Sequence, residues 1–187
     1  NKITGTDNGK VTEGSDDIQY VDISNGEYKG YMLIVNNPAK VSIGTTKQLG
    51  KKGMTVEDIV NAYGAIAGVN AGGFADKDGN GTGGTPLGIL IQDGKVLYRD
   101  KSKIYSIIGM DKHNVLVLGR YTFKQIQNMG IRDAVTFQPF LIVNGVPAIT
   151  KGDGGWGLAP RTAIGQTKDG RILLLVIDGR QISSIGA

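Results

Sequence analysis

The chain has 187 residues, 40% of them hydrophobic and 20% charged, with a formal net charge of +4. That length supports one substantial folded domain with a core. The absence of cysteine excludes disulfides, thiolate zinc sites and a cysteine nucleophile.

Only 6% of residues are aromatic, and the lysines are scattered among acids. There is neither a basic stripe nor a stacking platform, which argues against nucleic acid as a partner. A mild positive field suits an anionic small substrate or an anionic polymer. The 30 glycines are roughly twice the usual share of about 7% and imply many tight turns in a β-rich fold. No apolar run reaches the length of a membrane span, and no signal peptide is visible. The start at Asn1 rather than Met leads to the expectation of a trimmed chain, which leaves room for a lost export signal.

Taken in order, residues 1–30 read as a polar lead-in, loosest up to about residue 19. Strands are expected over 31–35 and 40–44, joined at Asn36-Asn37-Pro38. Thr55 can cap a helix, with Asp58 three residues on, and Val56, Ile59, Val60, Tyr63, Ile66 and Ala67 fall on one face. Such a face packs on a sheet. Residues 68–74 follow as a strand running into a glycine pair. A hairpin is expected over 86–99, turning at Asp93-Gly94, and another pair of strands over 104–110 and 115–118. Thr122 and Gln125 have capping-box spacing for a short second helix ended by Gly130. A hairpin over 134–149 turns at Asn144-Gly145. With no internal repeat, the expectation is a single α+β domain: a mostly antiparallel sheet built from hairpins, with two helices packed on it.

Five places carry chemistry-bearing residues. Asp76-Lys77-Asp78-Gly79-Asn80-Gly81 copies the first half of a calcium loop, but position twelve is Leu87 rather than a bidentate Glu. It reads as a flexible loop, with Asp76, Asp78 and Asn80 a weak cation site at most. His113, the sole histidine, sits in a polar turn without a Gly-x-Ser-x-Gly elbow elsewhere, and reads as a solvated turn residue. Residues 151–157 form a Gly-rich loop holding the only tryptophan, Trp156, which can stack on a sugar face or anchor the loop by packing. Asn70-Ala71-Gly72-Gly73-Phe74 lets a ligand or another backbone approach closely, with the Asn70 amide available to either.

The fifth is the C-terminal hairpin. Pro160-Arg161-Thr162-Ala163-Ile164-Gly165 precedes Asp169-Gly170, the apolar run 172–177 and Asp178-Gly179-Arg180. Closing that hairpin brings Arg161, Asp178 and Arg180 near one sheet edge. Guanidiniums suit phosphate and carboxylate oxygens; the alternative is a surface ion pair of little energetic consequence.

In this order, the motifs at 70–74, Pro86-Leu87-Gly88-Ile89-Leu90-Ile91 with Asp93-Gly94, the Pro160–Gly165 hexapeptide and Asp178-Gly179-Arg180 resemble the phosphodiester glycosidase family, from about residue 31 to the end. The resemblance implies hydrolysis of the bond between a sugar's anomeric carbon and a phosphodiester, on an extracellular or cell-envelope substrate such as an exopolysaccharide. It implies no cofactor. Asp178, Arg161 and Arg180 would be catalytic. Asn70, Gly72, Gly73, Thr162, Gly179 and Trp156 would bind substrate. Two departures stand out. Phe137-Gln138-Pro139 replaces a Gly-Gly-Pro, and the family's Asp-Gly-Gly-Gly-Ser segment does not follow Arg180. The expectation is therefore a domain over 31–187 that lacks its C-terminal segment, either because the chain is a piece of a longer one or because a separate segment or second chain completes it. A rival reading is a non-catalytic module gripping anionic glycopolymers such as teichoic acid through the same arginines.

Overall fold

The computed structural model describes residues 10–12 and 17–179. In chain order the strands are β1 (Lys10–Thr12), β2 (Ile18–Asp22), β3 (Gly30–Val35), β4 (Ile89–Gln92), β5 (Lys95–Arg99), β6 (Ile104–Asp111), β7 (Leu116–Thr122), β8 (Ile131–Thr136), β9 (Ile142–Val143), β10 (Val146–Pro147), β11 (Arg161–Gln166) and β12 (Ile172–Ile177). The helices are α1 (Val56–Tyr63) and α2 (Phe123–Asn128). All strand pairs are antiparallel, and the fold is α+β. The chain gathers into two compact units: residues up to Val41 together with those from Lys151 onward, and Ser42–Thr150.

The first unit is a five-stranded sheet in the order β1-β2-β3-β12-β11. Its inner strand β12, between β3 and β11, is the continuous apolar run Ile-Leu-Leu-Leu-Val-Ile, as expected of a strand paired on both sides and apolar on both faces. Ile172 lies opposite Val35, and both are buried, at 0% and 4% exposure. The β11–β12 hairpin turns at Asp169-Gly170, where Gly170 has φ 92°, a value that disfavours any side chain. Asp169 ties the turn by accepting from Arg171 Nε at 3.0 Å and from Thr167 Oγ1. Part of the segment read as a polar lead-in is thus a sheet strand: Ile18–Asp22 pairs along β3.

The second unit holds a five-stranded sheet in the order β5-β4-β8-β6-β7. Alternating positions of β4 and β6 (Ile89, Ile91, Tyr105, Ile107) meet Ile131 and Ala134 of β8 and Ile126 of α2 in one core. Helix α2 is closed at its start by the expected capping box: Thr122 Oγ1 accepts Gln125 N–H, and Gln125 Oε1 accepts Thr122 N–H at 2.8 Å. The Asp93-Gly94 and Asn144-Gly145 turns both place two successive residues at positive φ, the geometry of two-residue hairpins. Asp133, 2% exposed, accepts Asp93 N–H at 3.1 Å and pairs with Arg132 Nε at 2.8 Å. Arg132 in turn reaches Asn114 Oδ1 at 2.8 Å, so one polar chain links the turns of two hairpins.

Four expectations change in detail. Residues 40–44 are not a strand: Asn37 Oδ1 caps a short 3₁₀ turn, Pro38–Lys40, after which the chain runs on without a partner strand. Helix α1 starts at the Thr55 cap but stops at Tyr63, because Gly64 takes the left-handed conformation (φ 63°), leaving Ile66 80% exposed. The apolar side of α1 meets glycines of its flanking segments: a Cβ on Gly44 would fall 2.4 Å from Ile59, and one on Gly68 2.7 Å from Val60. Residues 68–74 form a strand only at Phe74, bridged to Pro86. The hairpin expected over 134–149 is instead the end of β8, a stretch with a cis Gln138–Pro139 bond, and the small β9–β10 ladder.

Candidate functional site

The expected residues fall on both units, and each set is built from its own surroundings. In the first unit the register of the C-terminal hairpin sets Arg161 opposite Ile177, so Asp178 follows directly beyond the end of the ladder. The backbones of Arg161 and Asp178 therefore meet at one end of adjacent strands, which lie about 4.8 Å apart. Asp178 is fixed by a reciprocal pair with Lys29: its N–H donates to Lys29 O at 2.9 Å, and its Oδ1 accepts Lys29 N–H at 3.1 Å. Gly179 sits against the ring of Pro160, where an added Cβ would approach Cγ to 3.1 Å. Arg180 lies outside the described residues.

Arg161 is not paired with Asp178. Its guanidinium spans backbone carbonyls of the preceding loop: Nη2 donates to Trp156 O at 2.9 Å and to Gly157 O, and Nη1 donates to Pro160 O at 3.2 Å. The neighbouring carboxylate is Asp153, whose two oxygens accept Gly155 N–H at 2.7 Å and Gly157 N–H at 2.8 Å. Those two donors, Gly155 first, hold the Asp153 carboxyl below its ordinary pKa, with the Arg161 charge contributing in the same direction. Loop 152–157 is therefore gripped from within by an acid and from its end by a guanidinium. Trp156, between Gly155 and Gly157, is 51% exposed. Successive side chains of a strand point to opposite faces. Thr162 consequently faces with Val176 and Tyr31 across the sheet, and Arg161 faces the other way with Ile177.

In the second unit Asn70 and Ala71 are exposed, and the two glycines after them are packed against β8. Gly72 has φ 73°, and a Cβ there would lie 3.3 Å from Val135 Cβ. Gly73 donates to Thr136 O at 3.0 Å and accepts Leu87 N–H at 2.9 Å. The close approach that the glycine pair permits is thus made by backbone rather than by a ligand. Thr136 also accepts Ile89 N–H on Oγ1 at 3.0 Å, while Asp100 accepts the N–H groups of Gly88 at 2.9 Å and Ser102 at 2.8 Å.

The loop over 76–81 is organised by its own backbone: Asp76 Oδ1 accepts Gly81 N–H at 2.6 Å around the 3₁₀ turn Lys77–Gly79. Among the described residues no three His, Cys, Asp or Glu side chains gather as a metal site would require. His113 is exposed, in a turn where its N–H donates to Asp111 Oδ1 at 2.8 Å. Sequence reasoning assigned no part to Asp153 or Lys29. The Asp-Gly-Gly-Trp-Gly spacing was the available signal for Asp153, since a short acid followed by glycines folds back on its own N–H groups. Nothing local marks Lys29, whose contact comes from the far end of the chain.

The sequence profile of the family described as phosphodiester glycosidase matches residues 63–187, about two thirds of the chain. Comparison with curated proteins finds no match. Among solved structures, the catalytic domain of zebrafish N-acetylglucosamine-1-phosphodiester alpha-N-acetylglucosaminidase, auto-inhibited by pro-peptide, matches with a TM-score of 0.65 at 19% identity, over 96% of this chain and 68% of that chain. At that identity the likeness is one of fold. Profile and fold together define a hydrolase of the glycosidase class. The chain belongs to the phosphodiester glycosidase family. No helix among the described residues is long and apolar enough to cross a membrane.

Proposed function

We propose that the chain hydrolyses sugar-1-phosphodiesters, breaking the bond between the anomeric carbon and the phosphate oxygen so that free sugar and a phosphomonoester leave. The observation that carries this reading is family membership over a span that includes the Arg161–Asp178 hairpin. In it, the Arg161 and Arg180 guanidiniums stabilise the phosphodiester anion and the departing phosphate. Arg161 would exchange carbonyl partners for phosphate oxygens, a trade favoured by the charge on the new acceptor. Asp178 acts on the sugar side, as base for the attacking water or as the carboxylate that stabilises an oxocarbenium-like centre. Its Lys29 N–H bond keeps the carboxylate oriented. Thr162 and the Gly179 backbone orient substrate, and Trp156 offers an exposed ring for a sugar face.

We place the substrate outside the cell, in an envelope or exopolysaccharide glycan, a setting that the mild positive charge suits. The test is release of N-acetylglucosamine from an N-acetylglucosamine 1-phosphodiester, the compound class named in the zebrafish relative. Arg161→Ala and Asp178→Asn should each lower kcat/KM by about 100-fold or more. Near-wild-type rates in both would discard the assignment. Salt-sensitive retention on teichoic acid without any sugar release would replace it with the binding-module reading.

A further inference from the structure

We infer that Asp153 is the positioning residue of this site, the group that sets the 152–157 loop so that Trp156 and the Arg161 guanidinium are presented together. The kinetic part of the inference rests on the function proposed above. The geometry does not. Asp153 accepts the N–H groups of Gly155 and Gly157, on either side of Trp156. Arg161 accepts no hydrogen bond and needs acceptors; it finds them in the carbonyls of Trp156 and Gly157. The peptide groups around Trp156 are therefore held by their N–H side on an acid and by their C=O side on a base. Gly152, Gly154, Gly155 and Gly157 all have positive φ, so the loop follows a path that side-chain-bearing residues rarely adopt and that packing does not enforce: a Cβ on Gly152, Gly155 or Gly157 would meet nothing within 4 Å. With so little steric support, the ion and hydrogen-bond frame decides where the loop lies.

A residue that acts this way works through the groups it presents, Trp156 toward the sugar and Arg161 toward the departing phosphate, so its loss lowers kcat/KM without removing a reacting group. Asp153→Asn keeps the size of the side chain but replaces one acceptor oxygen by a donor, so one of the two glycine N–H groups loses its partner and the charge beside Arg161 disappears. Because Trp156 is the only tryptophan, its emission reports the loop directly. The experiment measures tryptophan emission with acrylamide quenching, and steady-state kinetics on the N-acetylglucosamine 1-phosphodiester, for wild type, Asp153→Asn and Gly157→Ala. The second variant strains the same turn at φ 62° while leaving Asp153 in place.

The expected result is a fall in kcat/KM of about tenfold, a raised KM forming part of it, and a shifted, more readily quenched emission, in both variants. Unchanged emission in Asp153→Asn overturns the inference, and so does an unchanged kcat/KM. If wild type releases no sugar, the function proposed above fails, and the emission comparison still decides the part played by Asp153.

Discussion

The two five-stranded sheets of this chain differ in how completely they bury themselves. In the second unit Ile89, Tyr105, Ile107, Ile126 and Ala134 are all at or below 1% exposure, and α2 closes one side of the sheet. Among the described residues of the first unit only Val35, Ile172 and Ile177 are buried hydrophobics, while Tyr31 and Val176 on neighbouring strands are each 37% exposed. The sheet with the sealed core supplies turns and backbone anchors. The thinly covered sheet carries the arginine, the acid and the tryptophan of the proposed site. Polar groups that must meet a charged ligand cannot be sealed in a core, so a division of this kind lets stability and exposed chemistry be met by different strands.

The sharpest way to break that comparison is to truncate one core position in each sheet. Ile107→Ala, at 0% exposure among packed neighbours, should lower unfolding free energy by about 3–5 kcal/mol, whereas Ile177→Ala, at 8% exposure near a strand end, should lie near the lower end of the usual range, about 2 kcal/mol. Urea midpoints at constant m-value measure both. Equal losses would mean that the first sheet is as well supported as the second.

The buried Asp133 sharpens it further. Removing its carboxylate strands the Asp93 N–H and Arg132 Nε, and Asp133→Ala should cost about 2–3 kcal/mol. Its pH dependence has a definite sign. Desolvation raises the Asp133 pKa above 3.8 despite the Asp93 N–H and Arg132, so the folded state holds the proton more tightly than the unfolded one. Its contribution is fully present below 3.8 and declines as pH rises through the folded value. Asp133→Asn should remove that decline from a plot of urea midpoint against pH.

How much of this was readable beforehand depends on how local each determinant is. The turns at Asp93-Gly94 and Asn144-Gly145 and the caps at Thr55 and Thr122 were legible because the residues that adopt the geometry are the residues that specify it. The hairpin that sets Arg161 beside Asp178 followed from Asp169-Gly170 for the same reason. Helix α1 is shorter than its apolar period because Ile66 and Ala67 continue that period past Gly64, and periodicity does not say where a helix ends. The strands expected at 40–44 and 68–74 failed on partners: apolar residues in a row become a strand only where another strand is in reach. The acceptor that explains Gly73 is Thr136, and the bond that orients Asp178 comes from Lys29, both far off in sequence. Asp153 was overlooked for the opposite reason: its contacts are local, but they depend on N–H directions that a run of glycines leaves open.

The smallest expected effect contrasts the two sheets' acids. Asp153 is exposed, and its carboxyl lies below 3.8 because the N–H groups of Gly155 and Gly157 stabilise the charged form, with Arg161 adding to them. The unfolded chain therefore takes up the proton first as pH falls. What Asp153 adds to stability is present above 3.8 and is lost as pH drops through its folded value, the reverse of Asp133. Because the group is open to solvent, the change belongs to the loop rather than to the whole fold. Acidification below 3.8 should shift Trp156 emission and increase its quenching while the far-ultraviolet signal of the sheets holds. Asp153→Asn should show the shifted emission at every pH and no further acid step. An acid step that persists in this variant would assign the titration to another carboxylate and leave the contrast between the sheets to the core truncations alone.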